Sequence, residues 1–411
     1  MLRIIASSDT RALGRLIGQR VTHASGIDRR VAAIIADVRK SGDRAVVAYA
    51  RRFDGLSGQL EVAADEIDEG VRRTPAAVRR ALRRAARHIR EVARTQVPRG
   101  VRVRIAPGVI VEQRIEPLGR VGCYVPAGRY PLPSSLLMTA IPARIAGVPE
   151  VIVACPRPAP VVLAAAAEAG VTRVFRVGGA HAVAALAYGT ATIPRVDKIV
   201  GPGSAYVAAA KALVSSDCAI DFHAGPSEIV IVANAGNPAW IAADLLAQAE
   251  HDVDARAILL TSSRRLATKV WREVAARLSP EGPARTALER NGGIVVTRHV
   301  RESIEIANRI APEHLVCDDE AVADGVRAGA VFMGRWSAQA AGDYATGSNH
   351  VLPTGGAARF RGGLSAADFV RVTSIQRLTR AGLRAIGPTA VTLAEAEGLA
   401  AHAESIRVRL P

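Results

Sequence analysis

Eight short apolar runs, each separated from the next by a helix-length or turn-rich stretch, constrain the fold of this chain more than any other feature. They cover residues 121–125, 151–154, 174–177, 198–200, 229–232, 258–260, 294–297 and 331–333. Runs of this length, rich in β-branched residues and spaced by Ala/Leu segments, read as strands buried on both faces. Strands joined by helices pack as a largely parallel sheet with right-handed crossovers, so the class is α/β. Eight such strands suffice for two sheets, and 411 residues exceed what one small core organises. No low-complexity linker divides the chain, so any domain boundary is compact.

Residues 27–97 carry a helical pattern instead. Ile27, Val31, Ile34 and Ile35 recur at three-to-four spacing, and Ser41-Gly42-Asp43 ends one helix and begins another. Residues 101–118 alternate apolar and polar side chains about Pro107-Gly108, the pattern of a β-hairpin. From Leu364 onward the pattern is helical, as in an arm that packs elsewhere, another subunit included.

Composition excludes several classes. Hydrophobic residues at 49% and charged residues at 22% belong to a globular protein. No apolar run reaches the roughly 18 residues that span a bilayer, so no membrane role is expected. The first five residues lack the apolar core of a signal peptide, which makes the cytoplasm the expected location. Cys123, Cys155, Cys218 and Cys317 are far apart and form no C-x-x-C pair, so each is read as a small apolar packing residue. The net charge of +16 comes almost wholly from arginine, much of it at helical spacing within residues 72–94. With only 4% aromatic residues the chain lacks stacking platforms for single strands. The arginines therefore read as a solvated helix face, and no nucleic-acid partner is expected.

Four places gather metal-binding and proton-transfer residues: Gln248-Ala249-Glu250-His251-Asp252, Ala311-Pro312-Glu313-His314-Leu315, Gly342-Asp343-Tyr344 leading to Asn349-His350, and His402. Gln248 and His251 stand at i and i+3 near the end of a helix beginning around Pro238, on one face and within reach of one ion. A helix-end histidine that caps carbonyls gives the same spacing. Asp343 and His402 are candidates to complete an all-N/O shell, which suits Zn²⁺, Mn²⁺ or Co²⁺. Glu313 and His314, after a helix over 300–310 stopped by Pro312, pair the two groups that move protons near neutral pH. Their position before Leu315-Val316 reads as an active-site loop, or as a solvated one. Gly178-Gly179 and Gly201-Pro202-Gly203 each follow a strand and open a helix, turns whose N–H groups can face a phosphate. Neither is a G-x-G-x-x-G fingerprint. Ser227, in Ala224-Gly225-Pro226-Ser227-Glu228, lacks the G-x-S-x-G elbow and reads as a hydrogen-bonding group rather than a nucleophile.

Taken together, GRVGCYVPAGRYPLPSSLLMTAIPARIAGV (119–148), ALAYGTATIPRVDKIVGPG (185–203), AGPSEI (224–229), ADLLAQAEHD (243–252), APEHL (311–315), GDYATGSNHVLPT (342–354) and AEGLAAHAESIRVR (396–409) resemble the histidinol dehydrogenase family. The resemblance runs over nearly the whole chain from about Ile27. It implies two incomplete Rossmann-like parallel-sheet domains with helical N- and C-terminal arms exchanged in a homodimer. The implied division is an N-terminal arm over 1–26, a discontinuous first domain over 27–118 and 229–362, a second over 119–228, and a C-terminal arm over 363–411. The implied reaction is oxidation of L-histidinol to L-histidine through the aldehyde, with two NAD molecules and one zinc per site. Gln248, His251, Asp343 and His402 then correspond to zinc ligands, the last from the partner subunit. Glu313 and His314 match the catalytic pair. Ser227, His350 and Glu397 match substrate contacts, alongside Gln248, His251, His314, Asp343 and His402, and Tyr124 matches an NAD contact.

Three positions depart from the family pattern: His181 stands where Gln is usual, Ser204 where Asn is usual, and Ala127 in place of a glycine after Val125-Pro126. A zinc/NAD dehydrogenase acting on another small hydroxylated compound is the nearest alternative. A zinc hydrolase leaves the strand–Gly–helix turns without a use, and an arginine-rich nucleic-acid binder requires heparin retention and steep salt dependence. The departures put altered NAD affinity at this site. His181→Gln combined with Ser204→Asn is expected to lower the KM for NAD; an ordinary KM that the double variant leaves unchanged rules this out.

Overall fold

A computed structural model describes residues 2–18, 26–127, 130–222 and 225–410. Gly128, Arg129, Ala224 and residues 19–25 of the expected N-terminal arm lie outside them. Fourteen strands occur among the described residues: β1 Arg3–Ala6, β2 Val101–Ala106, β3 Val109–Pro117, β4 Arg120–Tyr124, β5 Glu150–Ala154, β6 Arg173–Phe175, β7 Lys198–Val200, β8 Ala219–Ile220, β9 Glu228–Val232, β10 Arg256–Thr261, β11 Gly293–Val296, β12 His314–Cys317, β13 Ala330–Met333 and β14 Val370–Leu378. All eight strands expected from the apolar runs form.

They make two parallel sheets. One runs β6-β5-β4-β7-β8, the other β1-β11-β10-β9-β12-β13. Leaving out β1, the two orders are the same: the first strand in sequence lies inside, the next two extend one way, and the last two extend the other. Each sheet therefore has a point, between β4 and β7 or between β9 and β12, where crossovers leave in opposite directions. The inner strands are buried on both faces, as in β9 (Ile229, Val230, Ile231, Val232) and β5 (Val151, Ile152, Val153, Ala154).

Three expectations need correction. Residues 3–6 of the expected N-terminal arm do not stand apart from the domain: β1 pairs in parallel with β11 and completes the six-stranded sheet. The helices within 27–97 do not bury against the 229–362 strands. Val31, Ile35 and Val38 of helix Ile27–Ser41 join a core with Ile152, Phe175 and Ile199, while Leu82, Ala86, Ile89 and Ala93 of helix Ala76–Gln96 join one with Val121, Leu136 and Val151. Both cores belong to the five-stranded sheet. That helix buries positions spaced four, three and four apart and leaves Arg80, Arg83, Arg84, Arg87 and Arg94 exposed. The C-terminal stretch is not helical throughout. Phe369 is buried, and Val370–Leu378 pairs antiparallel with β3, turning the expected hairpin into a three-stranded sheet before helices Arg380–Ala396 and Ala400–Arg407 begin. Valine, threonine and isoleucine in that stretch favour the extended chain once β3 offers an unpaired edge.

A buried ion pair fastens the turn after β7. The Asp221 carboxylate accepts from the N–H of Gly201 (2.7 Å) and of Phe222 (2.6 Å) and from the Lys211 ammonium, which also donates to the Gly201 carbonyl (3.0 Å). Gly201 has φ +115°, and a Cβ there would lie 2.2 Å from the Tyr124 carbonyl oxygen, so only glycine fits. Lys211 and Asp221 are both 2% exposed. Removing one buried partner strands the other, so Lys211→Met is expected to cost about 3 kcal/mol in urea unfolding. A loss under about 1 kcal/mol would show that the carboxylate is held by the backbone N–H groups alone.

Candidate active site

The expected proton-transfer pair lies at the edge of the six-stranded sheet where the strands begin. Glu313 and His314 are not in a loop: His314 opens β12, with Glu313 immediately before it, and both are buried. β12 pairs with β9 so that His314 lies opposite Ile229. This register sets both side chains against the backbone of Glu228. The Glu228 N–H donates to Glu313 Oε2 at 2.9 Å, and the Glu228 carbonyl lies 3.1 Å from His314 Nδ1. A carbonyl only accepts, so Nδ1 carries the proton and Nε2 keeps its lone pair. Nε2 is buried and has no partner. Ahead of the pair, Ala311 has φ 48°, the one positive φ outside glycine among the described residues. This strained turn between helix Val300–Ile310 and Pro312 swings the chain directly into the site.

Burial sets the protonation states. It pushes the Glu313 carboxyl well above the usual carboxylate range, despite hydrogen bonds from the Glu228 N–H and the Ser227 hydroxyl. It lowers the His314 imidazole to about 4, against the attraction of Asp343, so the ring is neutral at physiological pH.

Around this pair stand His251, Asp343 and His350. Helix Pro238–Ala249 follows β9 and runs back to the same edge, with Gln248 in its last turn. Gln248 is fully buried, and neither its amide oxygen nor its amide nitrogen has a partner. His251 Nδ1 lies 3.2 Å from the Gln248 carbonyl, which is the carbonyl-capping arrangement and leaves Nε2 free. Asp343 accepts from the Gln339 amide at 2.8 Å through Oδ2, while its Oδ1 is 3.9 Å from His314 Nε2 and 4.0 Å from His350 Nδ1. His350 Nδ1 also lies 2.9 Å from the Asp343 carbonyl, and its Nε2 is 3.5 Å from Ser135 Oγ on the helix that follows β4. The side chain of Asn349 donates to the Met138 carbonyl on that helix at 2.7 Å, tying the two sheets' elements together beside the site.

Among the described residues no three His, Cys, Asp or Glu side chains close on one point tightly enough to hold an ion by themselves. The donor set nevertheless fits one. A buried amide with two unpaired atoms is costly unless something else satisfies it, and Gln248 is such an amide, three residues before His251. Glu397 and His402 are not brought to this cluster. Both are exposed on helices Arg380–Ala396 and Ala400–Arg407 or just after the first of them, which pack on each other and on β14.

The expected cofactor residues fall at the C-terminal edge of the five-stranded sheet. The Tyr124 hydroxyl accepts from the Gly179 N–H (3.0 Å), and burial pushes this phenol up to about 12, so it keeps its proton to donate. His181 is not available as expected. Its Nε2 lies 2.9 Å from Asp54, whose carboxylate also takes the Gly178 N–H (2.9 Å), and the buried ring lies beside Tyr49 and Phe53. The N–H groups of Gly178, Gly179 and Gly201 are thus bound internally and do not face a phosphate. Ser204 caps helix Ala205–Val214 with its side chain exposed and no capping hydrogen bond made. Sequence reasoning missed Glu228, whose contribution is its backbone, and Asp54, Ser135 and Gln339, whose partners lie far away in sequence or outside any motif. All four cysteines are buried and free.

A neutral buried imidazole beside a buried carboxyl, on one of two Rossmann-like sheets, defines an α/β protein with a buried acid–base pair. The family model for histidinol dehydrogenase matches residues 18–410. The chain is 46% identical to the histidinol dehydrogenase of Methanothermobacter thermautotrophicus, with 100% of both chains covered, and 47% identical to that of Cereibacter sphaeroides, over 96% of this chain and 94% of the other. The crystal structure of histidinol dehydrogenase from Elizabethkingia anophelis superposes with a TM-score of 0.94 at 33% identity, over 100% of this chain and 98% of the other. The chain belongs to the histidinol dehydrogenase family.

Because burial raises the Glu313 pKa, the folded state holds this proton more tightly than the unfolded chain, near pH 4.3. Its contribution to stability is therefore lost as pH rises through the raised value. Glu313→Gln is expected to raise the melting temperature of metal-free protein at pH 8 and to leave it unchanged at pH 4. Equal melting temperatures at both pH values would mean that Glu313 is solvated rather than buried.

Proposed function

We propose that this chain oxidises L-histidinol to L-histidine through the aldehyde, in two NAD-linked steps, with Gln248, His251, Asp343 and His402 of the partner subunit holding one zinc ion per site. The observation that carries the reading is a set of buried polar atoms without partners: His314 Nε2, and both polar atoms of the Gln248 amide three residues before His251. When bound, zinc anchors and polarises the substrate's imidazole and amine, and NAD accepts the hydride.

The chain's own groups move the protons. Neutral His314 takes the alcohol proton at Nε2 while the carbinol carbon loses hydride, giving the aldehyde. The imidazolium so formed shares its Nδ1–H with the Glu228 carbonyl, which holds the ring in place as its charge changes. Glu313, as carboxylate, then takes a proton from a water whose oxygen adds to the aldehyde carbon. A carboxyl raised by burial is a stronger base than a solvated one. His314, restored to neutral, takes a proton from the hydrate as the second hydride leaves. One alcohol, one water and two NAD⁺ yield one carboxylate, two NADH and three protons.

Ser227 and His350 lie beside the pair as substrate contacts, with Glu397 supplied, like His402, from a second copy. Exposed Val103, Ile105, Leu393 and Val408 on the hairpin and C-terminal helices support a homodimer whose arms are covered in the assembly. The Tyr124 hydroxyl and Ser204 contact NAD, with His181 acting through Asp54 rather than by direct contact. The enzyme is placed in the cytoplasm. No helix among the described residues is long and apolar enough to cross a membrane.

Purified protein is expected to form two NADH per L-histidinol, to lose this activity on chelation and to regain it with zinc. His314→Ala and His402→Ala are each expected to lower kcat by a factor of roughly 10² to 10⁴. Mixing the two inactive variants under exchange conditions should restore part of the activity, because one complete site then forms in the mixed dimer. Turnover insensitive to chelation would reject the zinc set. No turnover of histidinol by zinc-loaded protein would favour a different small hydroxylated substrate.

A further inference from the structure

The six-stranded sheet has a second edge that the reaction does not use. Across the length of β9 from Glu228, roughly 13 Å away, the loops after β9, β12 and β13 surround a cavity of about 580 Å³. It lies where crossovers from β9 and β12 leave in opposite directions, the position at which open parallel sheets accept ligands. Two of the chain's three tryptophans form its wall: Trp240 and Trp336, with ring centroids 5.2 Å apart and planes at 43°. They are 40% and 78% exposed, a large aromatic surface that no core requires.

The polar groups define what such a wall can accept. A phosphate finds no cradle at the start of helix Pro238–Ala249. Pro238 has no N–H, the Ala239 N–H is taken by the Asn237 side chain (2.9 Å), and those of Trp240 and Ile241 by the Asn237 carbonyl (3.1 and 3.3 Å). Two carboxylates, Asp244 and Asp318, line the cavity against one guanidinium, Arg335, which lies 5.3 Å over the Trp336 ring. Asp244 follows Trp240 by four residues, on the same face of the helix. It is half-buried and has neither a hydrogen bond nor an ion pair among the described residues, in a chain with 54 basic and 38 acidic side chains. Burial alone pushes its carboxyl up to about 6. An unpaired carboxylate beside aromatic faces is the chemistry that recognises an ammonium group.

We infer that this cavity is a second small-molecule site, separate from the catalytic cluster, whose occupant is an organic cation with a planar apolar body. The ring lies on the tryptophan wall and the ammonium pairs with Asp244.

Tryptophan fluorescence of the full chain reports the site directly. The third tryptophan, Trp271, is tied elsewhere by its indole N–H to the Leu2 carbonyl at 2.9 Å. Titration with phenethylammonium is expected to give a saturable change, unaffected by saturating L-histidinol. Phenylacetate and AMP are expected to give none. Asp244→Asn should weaken phenethylammonium binding about tenfold. Trp336→Ala, an exposed position that leaves folding intact, should also weaken it, with Trp240 as the remaining reporter. The inference is overturned if phenethylammonium gives no saturable change, if phenylacetate or AMP binds as well, if histidinol competes, or if Asp244→Asn or Trp336→Ala leaves the affinity unchanged.

Discussion

The parallel pairing of β9 with β12 is the contact on which both the sheet and the acid–base pair depend. Ile229, Val230, Ile231 and Leu315 are buried along it, each contributing roughly 1.5–3 kcal/mol by leaving water. The same register puts the backbone of one residue, Glu228, between the Glu313 and His314 side chains. Its N–H faces a carboxyl and its carbonyl faces an imidazole. The hydrophobic energy of the strands thus fixes a tautomer. Slipping the pairing by one residue would turn His314 to the other face of the sheet and end both contacts.

Burial produces the reactivity as well as the stability of this region. The site lies beneath the turn from Ala311 to Glu313 and against the helix after β4, so both groups are driven toward their neutral forms. Neutral is what a base needs in the case of His314. For Glu313 it costs stability at high pH and raises basicity in return. The buried Gln248 amide, without a partner for either polar atom, adds a further cost. These costs lie at the junction of two sheets whose cores are otherwise apolar and closely packed.

The two sheets repeat one strand order and have come to different uses of it. At the switch point of the five-stranded sheet, Asp54, Asp221 and the Tyr124 hydroxyl occupy the N–H groups of the glycine turns. At the corresponding point of the six-stranded sheet, Pro238 and Asn237 close the helix start, and tryptophans and carboxylates line the opening. The Glu313–His314 cluster lies at neither of these edges: it is built at the opposite edge of the six-stranded sheet, near the helix that follows β4.

Much of this was legible in the chain. The eight apolar runs announced the strands, because a strand buried on both faces has no polar positions to interrupt it. The spacing of Gln248 and His251 showed two polar side chains near one helix end, because helix geometry puts residues three apart on neighbouring ground. Other features could not be read in this way. The short strands β1 and β12 and the edge strand β14 take their form from an existing sheet edge, and no local pattern encodes a partner far away in sequence. Helices 27–97 were assigned to the wrong sheet because amphipathicity shows that a face is buried but not what covers it. The pairing of His181 with Asp54, from a distant π-helical turn, could not be read from the chain either. The sequence by itself determined which residues are apolar, which can move protons and how near neighbours share a face. The tertiary structure alone decided which nitrogen of His314 is free and how far Glu313 is driven from its usual pKa, because both depend on desolvation and on a backbone some 85 residues away.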